Sequence, residues 1–108
     1  MKNLDVGKII AKRDLLFSFK ESKNKNKLTV VISEPRMIES DEFDFDVDPG
    51  ASACTVKILG LPDEFVEEVH GADSIQALSF AIDIDGYLRR LQKDYDIYWA
   101  DGEPYFDD

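Results

Sequence analysis

Carboxylates are the residues with the most obvious chemical use. Asp44, Asp46 and Asp48 alternate with Phe43, Phe45 and Val47. In an extended segment this period-2 spacing puts three acids on one face and three apolar groups on the other. A loop anchored by its phenylalanines is the equal alternative. Acids at alternate positions also open calcium loops, which then need a glycine at position six and a bidentate acid at position twelve. Pro49 and Thr55 stand there instead. Asp83-Ile84-Asp85-Gly86 looks like the middle of such a loop, but Ala81 and Gln92 occupy its first and last ligand positions. Both runs are therefore read as solvated acids, and no metal site is assigned.

Cys54 is the only cysteine and His70 the only histidine. That leaves no His-rich zinc site. On neighbouring strands the two would make a thiolate–imidazole pair; the alternative is a packed thiol and a histidine hydrogen-bonded at a strand end. The chain has no Gly-rich phosphate loop of either common kind. No catalytic residue and no cofactor are assigned.

A third group lies near the C-terminus. Tyr95, Tyr98, Trp99, Tyr105 and Phe106 are interleaved with Asp94, Asp96, Asp101, Glu103, Asp107 and Asp108. Core packing accounts for some of these rings. The others would make an acidic patch with aromatic anchors, the residue types that dominate binding surfaces. The residues assigned to partner binding are therefore Asp44, Asp46, Asp48, Tyr98, Trp99, Asp101, Glu103 and Tyr105.

The whole chain bounds these readings. Its 108 residues fit one domain, residues 1–108, large enough for a core without disulfides. A net charge of −10 disfavours nucleic acid, whose phosphates repel such a surface, and favours a basic protein partner. The charge is uneven: residues 1–27 carry net +5 and residues 28–108 net −15. No stretch has the length of a signal-peptide core or a membrane span, so the expected compartment is the cytoplasm.

The elements that must position these residues are mostly strands. Val6–Lys20 is rich in β-formers, with Phe17 and Phe19 on one face; it reads as one strand, or as two with a break near Lys12–Asp14. Leu28–Ser33 follows a polar turn and completes an N-terminal hairpin. Lysines 20, 23, 25 and 27 cluster at its tip, where they oppose edge-to-edge pairing. Ala53–Leu59 is a third strand; Asp63–His70 is ambiguous, since Phe65, Val66 and Val69 also fit a short helix, and is read as a fourth strand pairing with it. Gly71–Lys93 has helical periodicity, with Ala77, Ala81, Ile84, Leu88 and Leu91 as the stripe and Ile75, Leu78 and Ile82 widening it. Asp73 at the N-cap and Gln76 three residues on have capping-box spacing. Asp96–Ala100 is a short final strand.

Gly71-Ala72-Asp73-Ser74-Ile75-Gln76-Ala77-Leu78 resembles the G-x-D-(S/A)-x-Q-A-L signature of a family of small uncharacterised bacterial α+β proteins. The resemblance covers Thr55–Phe106 and implies that Glu64–His70 is a strand leading into the helix. It implies no activity. Asp83 and Asp85 depart from the family pattern, which continues that face with apolar or neutral residues.

The expected fold is α+β. It has an antiparallel sheet of four to five strands (the N-terminal hairpin, two more strands and a short C-terminal one) with one long helix across one face. The expected function is non-enzymatic protein binding, of which an immunity-type protein that blocks a toxin is one form. The alternatives are a small-ligand protein or hydrolase with a carboxylate-lined pocket, and a structural component of a larger assembly.

Overall fold

The computed structural model describes residues 8–38 and 50–106. Asp44, Asp46 and Asp48 lie outside the described residues. The elements are β1 (Ile9–Phe19), β2 (Asn26–Ser33), β3 (Arg36–Met37), β4 (Ser52–Leu59), β5 (Phe65–Gly71), α1 (Ser74–Ala81), α2 (Asp85–Leu91) and β6 (Tyr95–Trp99). The fold is α+β, an antiparallel sheet with a bent helical layer packed on it.

The sheet runs β5–β4–β2–β1–β6, and the short β3 pairs with the end of β4 beside β2. β1 and β2 form the N-terminal hairpin, closed by a turn in which Glu21 takes φ 67°. β1 runs unbroken through Lys12–Asp14, with a register shift between Ile9 and Ala11. β5 pairs with β4 along its length, so the ambiguous segment before Gly71 is a strand. Its partner strand β4 is followed by Gly60 at φ 106°, which a side chain rarely adopts.

β5 and β6 lie at opposite edges, so the chain between them must cross the sheet. The helical span that does so is not continuous. α1 ends at Ala81, Ile82–Ile84 turn, and α2 starts at Asp85. Asp83 and Gly86 are weak helix formers, and Asp85 sits in the first turn of α2, where an acid suits the helix dipole. Arg89 and Arg90 occupy its last turn. The Asp83–Gly86 run thus marks the bend.

The junction from β5 into α1 explains the motif residues. Asp73 Oδ1 accepts from Gln76 N at 2.8 Å, and Gln76 Oε1 reaches back to Ala72 N at 2.6 Å. A Cβ on Gly71 would collide with Ala77 N and lie 2.8 Å from Ala77 Cα. Glycine there lets the first turn sit directly on the strand end, with Ala77 fully buried.

The core fills the space between sheet and helices: Leu15, Phe17, Leu28, Val30, Ile32, Cys54, Val56, Ile58, Ala77, Ala81, Ile84, Leu88 and Ile97. The predicted helical stripe is buried at Ala77, Ala81, Ile84 and Leu88 and half-buried at Leu91; of its expected flanks Leu78 is half-buried against the core, and the other two are exposed. Ile75 is 78% and Ile82 56% exposed. Ile82 lies in the turn that follows α1, outside either helix.

Candidate functional site

Four elements meet at one end of the molecule around the Arg13 side chain of β1. Arg13 Nη1 donates to the Tyr105 hydroxyl at 2.7 Å, and that hydroxyl donates to Asp85 Oδ1 at 2.7 Å. The guanidinium carbon lies 5.4 Å from the Trp99 ring centre and 6.0 Å from that of Tyr105. The two rings stack obliquely at 4.5 Å, and Phe106 meets Tyr105 edge-on at 4.9 Å. Arg89 of α2 covers Phe106, its guanidinium carbon 3.8 Å from the ring centre.

This geometry has local causes. Phe17 pairs with Ile97 and Leu15 with Trp99, so Ile97, Trp99 and Arg13 share the helix face of the sheet. After Trp99 the chain reverses through Gly102 at φ 94°. Trp99 N donates to Glu103 O and Tyr105 N to Ile97 O, which lays Tyr105 beside Trp99. Asp101 Oδ1 accepts from Glu103 N at 3.0 Å and shapes the turn.

The expected patch is therefore divided. Trp99 and Tyr105 come together, Asp101 and Glu103 are exposed in the turn beside them, and Tyr98 points to the opposite face of the sheet. There its hydroxyl lies 3.0 Å from Ser18 Oγ, and Lys25 Nζ lies 4.6 Å from its ring centre. Period-2 alternation of adjacent residues forces this separation. Arg13 and Asp85 complete the cluster, and neither was assigned to it from sequence. Arg13 is distant in the chain, and its only local signal is a basic residue in an apolar strand. Asp85 stood out only as an acid in a helical stripe.

Burial, and then the bond to Asp85, push the Tyr105 hydroxyl above its ordinary value, against the opposing effect of Arg13. The hydroxyl stays a donor to Asp85. Next to it a hollow of about 160 Å3 lies under the helical bend, lined by Ala11, Lys12, Arg13, Val30, Ile32, Ile82 and Ile84. No carboxylate lines it.

The other candidates are separated or paired. Cys54 is buried on the helix face opposite Val69, and burial raises its thiol. His70 stands opposite Ala53 on the other face, so thiol and imidazole point to different sides of the sheet. His70 Nε2 lies 3.0 Å from Glu68 Oε1, and Arg36 Nη2 donates to Glu68 Oε2 at 2.7 Å. The His70 bond, more than Arg36, holds Glu68 below the usual carboxylate range. Among the described residues, no group of three or more His, Cys, Asp and Glu side chains is placed to hold a metal ion. No helix among them is long and apolar enough to cross a membrane. No family model, curated protein or solved structure matches the chain.

Proposed function

We propose that this chain is a non-enzymatic protein-binding domain, and that its Trp99 end receives a basic protein partner. The observation that supports this reading is the Arg13 cluster. Trp99, Tyr105 and Asp85 are arranged around a guanidinium, here the chain's own, and Trp99 remains 41% exposed. Stacked rings beside a carboxylate attract a cation by about 0.5–1 kcal/mol at an exposed site and more once water is excluded. Exposed Asp101 and Glu103 add negative charge at the rim, which speeds encounter with a basic surface. An immunity-type protein that neutralises a basic toxin is the concrete form of the proposal. Kinship with the small bacterial proteins that share the G-x-D-(S/A)-x-Q-A-L motif belongs to the same proposal.

The test is affinity capture from native lysate over a salt titration, with wild type and Trp99→Ala in parallel. A specific protein should be retained at low salt, released as salt rises, and retained less by the variant. If nothing is retained at low salt, or if the variant captures the same protein equally well, the reading fails.

A further inference from the structure

From Ile9 to Asp14, β1 is paired with β2 on one edge, and β6 reaches only as far as Leu15 on the other. The hydrogen bonds of β6 show which backbone groups face the open part of that edge. Trp99 N donates to Glu103 O, and Trp99 O accepts from Gly102 N, so both Trp99 groups point away from β1. Strand alternation then aims the groups of Tyr98 at Leu16. Along β1 the same alternation aims the N–H and C=O of Asp14 and Lys12 to that side, past the end of β6. Thr55 provides an independent check. Its N–H goes to Ser33 Oγ on the β2 side, as this alternation carried across β2 and β4 requires. Among the described residues, no strand pairs with Lys12 or Asp14 on the open side.

The surroundings of this edge select an occupant. On the helix face lies the hollow beneath Ile82 and Ile84, with Ile82 56% exposed. On the other face stands the Lys12 side chain, opposite Val31 in the ladder. The edge carries Lys8, Lys12 and Arg13 against one acid, Asp14, whose Oδ2 lies 4.0 Å from Lys12 Nζ, so it stays net basic in a chain of net charge −10. A strand laid here would send alternate side chains to the two faces.

We propose that the Ile9–Asp14 edge of β1 binds an extended segment of a protein partner in which apolar and acidic residues alternate. The segment adds to the sheet as a strand. Its apolar side chains cover the hollow, and its acids lie on the opposite face beside Lys12. A second copy of β1 is a poor occupant. A two-fold antiparallel pairing centred on Lys12, whose backbone groups face the open side, sets two lysines directly opposite each other, which is destabilising. This site is separate from the proposed role of the Trp99 end, and either can fail alone.

The test uses the whole chain and a peptide of acetylated Glu-Val-Asp-Leu-Glu-Val-Asp amide. One control has lysine in place of each acid, and another has the same composition with the alternation scrambled. Binding is followed by calorimetry and by the fluorescence of Trp99, the only tryptophan, which sits at the end of the open edge. The alternating acidic peptide should bind saturably and weaken as salt rises; the two controls should bind at least about tenfold more weakly, a difference of roughly 1.4 kcal/mol. Lys12→Pro blocks the open-edge donor without touching the β2 ladder and should abolish binding while circular dichroism and thermal midpoint persist. Lys12→Glu, which needs no backbone change, should shift preference to the lysine peptide. The proposal is overturned by equal binding of the scrambled peptide, by unchanged binding in both variants, or by no saturation at millimolar peptide. It is also overturned if wild type is a dimer that Lys12→Pro makes monomeric, because the edge then belongs to a second copy.

Discussion

The two halves of β1 are one continuous strand in two different environments. From Leu15 to Phe17 it lies between β2 and β6, and Leu15 and Phe17 are each 2% exposed. From Ile9 to Asp14 it pairs, among the described residues, with β2 alone, and every residue is exposed. Residue type does not make the difference, since Ile9 and Ile10 are as apolar as Leu15. What differs is the second neighbour: β6 has 5 residues against the 11 of β1, so it cannot cover the whole edge. The covered half therefore carries stability, and the uncovered half is left available for contact.

The largest effects should separate the halves by side-chain truncation. Phe17→Ala removes a core ring that meets Phe19 and Tyr95 edge-on and should cost about 3–5 kcal/mol. Ile10→Ala, at a position 44% exposed, should cost less than about 1 kcal/mol. Urea midpoints of the two variants check this. Equal losses would mean that the first half of β1 is covered in solution.

A proline pair sharpens the comparison at the level of the backbone. Leu16 faces β6 with both backbone groups, so Leu16→Pro deletes a ladder donor and orphans a carbonyl of Tyr98. The orphaned group alone costs about 1–3 kcal/mol. Lys12→Pro has the same chemistry four residues earlier on the same side, where no described strand pairs, and should stay within about 0.5 kcal/mol of wild type. Chemical denaturation of both variants reads the difference. If Lys12→Pro is as damaging as Leu16→Pro, the edge is already paired.

Much of the scaffold was legible in the sequence because its signals are local. Asp73 and Gln76 sit three apart as a capping box requires; Asp73 takes the Gln76 N–H as that spacing predicts, while the Gln76 side chain reaches one residue further back, to Ala72 N. Alternation at Phe17 and Phe19 marked a strand. The pairing of β6 with β1 was not legible, because a five-residue strand carries no mark of its partner. The open edge follows from that pairing and was hidden with it. Tyr98 and Trp99 are a different case: grouping them by sequence proximity overlooked an alternation that the sequence did display. Ile82 was counted into the helical stripe because Asp83 and Gly86 were not weighted as a break.

The boundary between the two halves is held by Arg13, Tyr105 and Asp85, and its contribution should show in alkaline stability. Tyr105 has a folded pKa above its ordinary 10.0, through burial first and the bond to Asp85 second. The fold therefore favours the protonated phenol. Its contribution is fully present below pH 10 and is lost as pH rises from there through the folded value. Tyr87, raised by burial and by Glu67, loses stability in the same direction, so wild type should weaken as pH rises above 10 from both groups. Tyr105→Phe keeps the ring against Trp99 but lacks the hydroxyl that joins Arg13 to Asp85. It should lose about 0.5–1.5 kcal/mol at neutral pH, and its urea midpoint should fall less steeply over the alkaline interval than that of wild type. Tyr87→Phe should flatten the same interval without disturbing Trp99 fluorescence, which separates the two phenols. An alkaline slope unchanged in Tyr105→Phe would mean that the hydroxyl is not buried against Asp85 in solution. The boundary of the open half of β1 would then rest on ring stacking alone.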